Sequence, residues 1–176
     1  PPAIKILVIG GSLGAKVLND NLPLALAKLD AKPAQITHQI GRAAIEPIVE
    51  AYQANLVKNV LVVNFIDDMA AAYANADLII CRAGASTVAE VAAAGIAAIF
   101  VPYPYAVDDH QTTNTHQLVA AGAAILLPQA ELNPAKLAEL ISGLNYTICQ
   151  NMGEKARSLA ILDSTQQICQ QIIEQL

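Results

Sequence analysis

ADLIICRAGASTVAEVAAAGIAAIFV, residues 76–101, reads as strand, helix, strand. The apolar runs Leu78–Cys81 and Ala97–Pro102 have no polar face, which suits strands buried on both sides of a sheet. Between them lies an Ala-rich helical stretch whose one charge is Glu90. Strands joined by a helical crossover run parallel. Arg82 and Gly84, where the first strand gives way to the helix, are not required by packing, so a ligand is sought at that corner.

Outward from this unit the alternation continues. Further strands are expected at Ile4–Gly10, Ile36–Ile40, Val60–Phe65 and Ala124–Leu127. Ala15–Leu29 places Leu18, Leu22, Ala25, Leu26 and Leu29 on one stripe, the pattern of an amphipathic helix. Asn133-Pro134 reads as an N-cap with proline at the first helical position. Ser164 and Gln167 form a capping box for a last helix with Ile168, Ile172 and Leu176 on one face. Alternation of this kind marks an α/β fold, a Rossmann-like doubly wound parallel sheet. With no repeat or internal linker, residues 1–176 are expected to form a single domain.

Composition narrows the function classes. The chain is 55% hydrophobic and 14% charged, with a net charge of −5. It lacks a Lys/Arg cluster with interleaved aromatics, so no nucleic-acid partner is expected. Cys81, Cys149 and Cys169 show no CxxC pattern and read as reduced thiols. His38, His110 and His116 lack metal-ligand spacing, so no metal is expected. There is no basic-then-apolar leader, and no apolar run approaches the ~20 residues of a membrane span. The opening PPAIKILVIGG resembles the end of a linker, so the chain is expected to be part of something longer.

In doubly wound sheets ligands bind where strand ends lead into helix N-termini, and three such loops stand out. GGSLGA, residues 10–15, carries Gly11 and Gly14, which let backbone N–H groups approach an anion; close strand–helix packing would also use them. A P-loop is excluded because GK[ST] is absent. A dinucleotide fingerprint is disfavoured, since Ser12 and Ala15 occupy glycine positions and strand two ends in His38, Gln39 and Ile40 without an acid.

RAGAST, residues 82–87, leads from the Leu78–Cys81 strand into a helix whose first turn is expected to include Ser86, Thr87 and Glu90. Its N–H groups and the hydroxyls of Ser86 and Thr87 can take a phosphate, and Glu90 can accept from a ribose diol. Alternatively, Ser86 caps the helix and Glu90, placed in its first turn, complements the dipole. The third loop, VPYPYAVDDHQTTNTHQL (residues 101–118), crowds Asp109, His110, Gln111 and Asn114 into one turn. Gln111 both donates and accepts, as sugar hydroxyls require; a plain helix start capped by Asp108 or Asp109 is the other reading. In FIDDM, residues 65–69, Asp67 is expected to cap a helix. Together the loops call for a base, a ribose, a diphosphate and a sugar.

VIGGSLGA, FIDDMAAAYANADLIICRAGASTVAEVAAAG, AIFVPYPYAVDDHQTTN and AAGAA closely resemble the C-terminal half of the MurG family, bacterial UDP-N-acetylglucosamine (UDP-GlcNAc) transferases acting on lipid I in peptidoglycan synthesis. The resemblance runs from about Ile4 to the final helix. It implies one half of a GT-B glycosyltransferase, in which two Rossmann-like domains face a cleft and the C-terminal one holds the donor. By position it implies Ser12 on the diphosphate and the Ile66 backbone on the uracil. Ala85, Ser86, Thr87, Val88, Ala89 and Glu90 would hold diphosphate and ribose, and Gln111 the GlcNAc. His110 and Asn114 match the family pattern. Arg82 is left between neutralising phosphate and pairing with a core-edge carboxylate. No D-x-D motif is present, which agrees with a metal-free design without cofactors.

The resemblance also implies what is missing. An N-terminal acceptor domain, absent from this chain, would hold lipid I, supply the general base and make the membrane contact. The whole enzyme would be peripheral on the cytoplasmic face of the bacterial inner membrane. The rivals are a soluble UDP-GlcNAc-binding subunit of a split lipid-linked GlcNAc transferase, a nucleotide-sugar-binding module without activity of its own, and a nucleotide-dependent oxidoreductase.

Overall fold

The computed structural model describes residues 2–11, 15–105, 110–161 and Ile173. Six parallel strands, β1 (Lys5–Ile9), β2 (Gln35–Gln39), β3 (Val60–Val63), β4 (Leu78–Cys81), β5 (Ala97–Phe100) and β6 (Ala124–Leu126), form one sheet in the order β3-β2-β1-β4-β5-β6. The helices are α1 (Lys16–Ala27), α2 (Ile45–Ala54), α3 (Met69–Ala74), α4 (Ala85–Ala94), α5 (His110–Ala120), α6 (Pro134–Ser142) and α7 (Tyr146–Ser158). Strand order reverses direction beside β1, whose neighbours are β2 and β4. This is the doubly wound α/β sheet expected from the alternation. The six expected strands are all present, each ending up to two residues from the expected bounds.

Alternate side chains along each strand serve opposite faces. Ile6, Val8, Ile36, Leu78, Ile80 and Ile99 pack with α1, α2 and α6, including Leu18, Leu22, Leu26, Tyr52 and Leu137. Leu7, Ile79, Cys81, Ala98 and Phe100 pack with Tyr73, Val88, Val91 and Leu118 of α3, α4 and α5. β4 and β5 are buried along their whole length, which is why both read as unbroken apolar runs.

The Ala-rich α4 lets its neighbours approach closely. It ends at Gly95, whose φ of 69° lies in the left-handed region that glycine adopts without strain. Gly153 of α7 is packed so tightly against this turn that a Cβ there would collide with the Gly95 carbonyl oxygen. The cap at Asn133 is as expected: its side chain accepts from the N–H groups of Ala135 and Lys136. The cap of α3 is not. Asp68, not Asp67, accepts from the Ala71 N–H, at 2.9 Å, because α3 starts at Met69 and only a side chain one residue earlier reaches that donor.

Ser164, Gln167, Ile168, Ile172 and Leu176, expected in a last helix, lie outside the described residues. Among the described residues, no helix is long and apolar enough to cross a membrane.

Candidate functional site

The carboxyl ends of β1 and β4 lie side by side, with Ile9 in register with Cys81. The helices that leave them, α1 and α4, start at N-caps Ala15 and Gly84, and no side chain caps either. By contrast α3, α6 and α7 are capped by Asp68, Asn133 and Asn145, while α2, with N-cap Ala44, is uncapped as well. The first N–H groups of a helix have no intrahelical acceptor, and the helix dipole adds partial positive charge there. Two such ends at the crossover of a doubly wound sheet form the place where such folds take anionic ligands. Gly11, with φ of 79°, makes the turn out of β1. Ser12 and Gly14 lie outside the described residues.

The neighbouring loops are sewn together by side-chain amides. Gln39, at the end of β2, accepts from the Gly10 N–H at 3.2 Å. Its Nε2 donates to the carbonyls of Gly11 at 3.1 Å and Asn64 at 2.8 Å. Asn64 in turn donates to the carbonyls of Gly41 at 2.7 Å and Ala43 at 2.8 Å. Gln39 thus stands where a dinucleotide-binding fold carries its ribose-binding acid, and its amide is used to tie the β1 and β3 exits together.

On the other side, α5 holds the β4–α4 loop. The Gln111 Oε1 accepts from the N–H groups of Tyr103 at 2.9 Å and Ala83 at 3.4 Å. Asn114 Nδ2 donates to the Ala83 carbonyl at 3.1 Å. Among the described residues Arg82 pairs with no carboxylate; its Nη1 donates to the carbonyls of Val101 and Pro102, both at 3.2 Å. The guanidinium also sits over the Tyr103 ring, 5.5 Å from its centroid. Burial lowers the Arg82 pKa, an effect opposed by the nearby Tyr103. His110 lies on the exposed side at the start of α5. Asp108 and Asp109 are outside the described residues.

Glu90 lies in the second turn of α4, which has no acidic residue in its first turn, and Gly84 rather than Ser86 occupies the N-cap. The dipole reading of Glu90 and the capping reading of Ser86 are corrected accordingly, since both required the helix to start later. Ser86 and Ala89 are exposed, Thr87 is half-buried and Val88 is buried. Glu90 is exposed, and its Oε2 accepts from the buried Tyr73 hydroxyl at 2.7 Å. Burial, and next the hydrogen bond to Glu90, push the Tyr73 phenol above its ordinary pKa.

Glu90, Tyr73, Met69 and Arg157 line one hollow of about 570 Å³. Ile66 lines another, of about 350 Å³, with Phe65, Val63 and Thr37. Asn114 and Ala85 line a third, of about 320 Å³. Among the described residues, Ile66, Glu90 and Asn114 thus line three separate hollows; the one beside Ile66 reaches Lys5 and Gln35, where β1 and β2 begin, and the one beside Glu90 reaches Ala94 and Arg157. Tyr73, Gln39 and Asn64 were not singled out as site residues from the sequence. Gln39 alone carried a signal, as a polar residue ending a strand where an acid was sought.

A doubly wound α/β domain with two uncapped helix ends side by side at the strand-order reversal belongs to the broad class of nucleotide-binding folds. The sequence pattern of the glycosyltransferase family 28 C-terminal domain matches residues 5–175, and the chain belongs to that family. It is 50% identical, over 94% of its length, to a UDP-N-acetylglucosamine–N-acetylmuramyl-(pentapeptide) pyrophosphoryl-undecaprenol N-acetylglucosamine transferase of Burkholderia mallei (strain SAVP1), covering 46% of that protein. The same enzyme of Tolumonas auensis is 52% identical over 167 residues, again 94% of this chain and 46% of the relative. The crystal structure of Acinetobacter baumannii MurG superposes with a TM-score of 0.92 at 46% identity, over 98% of this chain and 50% of that one. The chain thus spans about half the length of the relatives it matches.

Proposed function

We propose that this chain is the donor-binding half of an inverting transferase that moves GlcNAc from UDP-GlcNAc to the MurNAc 4-hydroxyl of lipid I. The observation that carries the reading is the pair of uncapped helix ends at the β1–β4 crossover. The names of the Burkholderia mallei and Tolumonas auensis relatives, both N-acetylglucosamine transferases, support it.

In this reading Gly11, Ser12 and Gly14 on one side, and Gly84, Ala85, Ser86 and Thr87 on the other, receive the diphosphate. Val88 and Ala89 continue the helix to Glu90, which accepts from the ribose hydroxyls, while the Ile66 backbone reads uracil. With its Oε1 committed to backbone N–H groups, Gln111 turns its Nε2 to the GlcNAc oxygens. His110 and Asn114 flank that sugar.

The acceptor hydroxyl attacks the anomeric carbon as the bond from that carbon to the UDP oxygen breaks. The hydroxyl proton passes to a base in the other half of the enzyme. Negative charge grows on the departing diphosphate, and fixed N–H donors aimed there lower the barrier. Lipid I and the cytoplasmic face of the bacterial inner membrane are assigned as partners of that other half, so this chain alone is expected to transfer little.

Calorimetric titration tests the reading. UDP-GlcNAc is expected to bind, UDP-glucose to bind more weakly, and NAD not at all. Binding of NAD with indifference to UDP-GlcNAc would overturn it in favour of an oxidoreductase.

A further inference from the structure

We propose that Tyr73 is a positioning residue that holds Glu90 in the geometry needed to recognise a ribose diol, and so sets the preference for ribo- over deoxyribonucleotide donors. The inference rests on the reading of Glu90 as the ribose acceptor.

A glutamate on the exposed face of a helix ordinarily samples several rotamers. Here the carboxylate is tethered from a neighbouring helix. Tyr73 is 8% exposed, its ring is packed in the core cluster of α3, α4 and α5, and its hydroxyl donates to Glu90 Oε2 at 2.7 Å. Burial raises the phenol pKa, so Tyr73 remains a donor across the working pH range. A phenol has one proton to give. Donating it to Oε2 leaves both lone pairs of Oε1 and one of Oε2 to accept, which matches the two adjacent O–H groups of a 2′,3′-diol. The carboxylate borders the hollow of about 570 Å³ between α3, α4 and α7, which gives a ligand room beside it. Recognition by a preorganised acceptor avoids the cost of ordering it on binding.

The test is a double-mutant cycle on this chain, with UDP and 2′,3′-dideoxy-UDP as probes in calorimetry. Wild type is expected to favour UDP. Tyr73→Phe, which keeps the packed ring, is expected to weaken UDP roughly tenfold and the dideoxy compound by less than about twofold. In a Glu90→Gln background, Tyr73→Phe should change the ratio no further. Equal weakening of both ligands by Tyr73→Phe would show a merely structural contact and overturn the proposal. So would an unchanged ratio. If wild type does not distinguish the two ligands, or Glu90→Gln binds UDP as wild type does, the ribose reading of Glu90 fails first and takes this proposal with it. Should Tyr73→Phe not fold, Tyr73→Met provides the hydroxyl-free comparison under the same criteria.

Discussion

Gln39 Nε2 donates to the Asn64 carbonyl at 2.8 Å, tying the end of β2 to the loop that leaves β3. The same amide group donates to Gly11 and its oxygen accepts from Gly10, so one side chain braces two exits at the carboxyl edge. Only an amide can do both, because a carboxylate has no proton to donate.

Gln39→Glu is therefore expected to destabilise the fold by about 2 kcal/mol, since it loses two donors and faces two carbonyl oxygens with a charge. The variant is also expected to weaken UDP-GlcNAc through the displaced glycine loop. Urea denaturation and calorimetry read the two effects, and a variant as stable as wild type would contradict the bracing role.

Glu90→Ala and Gln111→Ala should separate by ligand. Glu90 is exposed, so its removal is expected to cost only the acceptor of the Tyr73 hydroxyl, about 1 kcal/mol, and to weaken UDP and UDP-GlcNAc alike, by about tenfold or more. Gln111→Ala is expected to weaken UDP-GlcNAc more than UDP. It also frees the Tyr103 N–H from its acceptor, at a stability cost of about 1 kcal/mol. Titrating both nucleotides against both variants checks this, and identical ligand profiles would count against the assignments.

Gly153→Ala tests the α4–α7 packing. The added methyl meets the Gly95 carbonyl oxygen, so the backbones must part, and a loss of about 2–3 kcal/mol is expected. Ligand preference should not change in the folded fraction. Thermal melting at several UDP-GlcNAc concentrations distinguishes the two effects.

His38 makes stability depend on pH. It is fully buried on β2, with Nδ1 2.8 Å from the Tyr52 hydroxyl and Nε2 without a partner. Burial lowers its pKa from 6.5 to about 4. Below 6.5 the unfolded chain takes up a proton that the native one refuses. Its stabilising contribution is complete above that value and declines as pH falls toward about 4, by up to about 3 kcal/mol. Urea denaturation between pH 7 and 4.5 should show the decline, and His38→Gln, which does not titrate, should have a shallower slope than wild type.

The sequence by itself determined the layers of this molecule. Apolar runs such as Leu78–Cys81 and Ala97–Phe100, the glycine turns and the Asn133 cap act through near neighbours, and near neighbours are written consecutively in the chain. Tertiary structure decided which side chains support the site. Tyr73 reaches Glu90 across two packed helices, Gln39 reaches Gly11 and Asn64 across two strands, and Gln111 reaches back to Tyr103 and Ala83. Asp68 displaced Asp67 as the cap by a one-residue difference in where a helix begins. Such contacts depend on strand register, helix start and the direction of each side chain, which arise only when distant segments pack against one another.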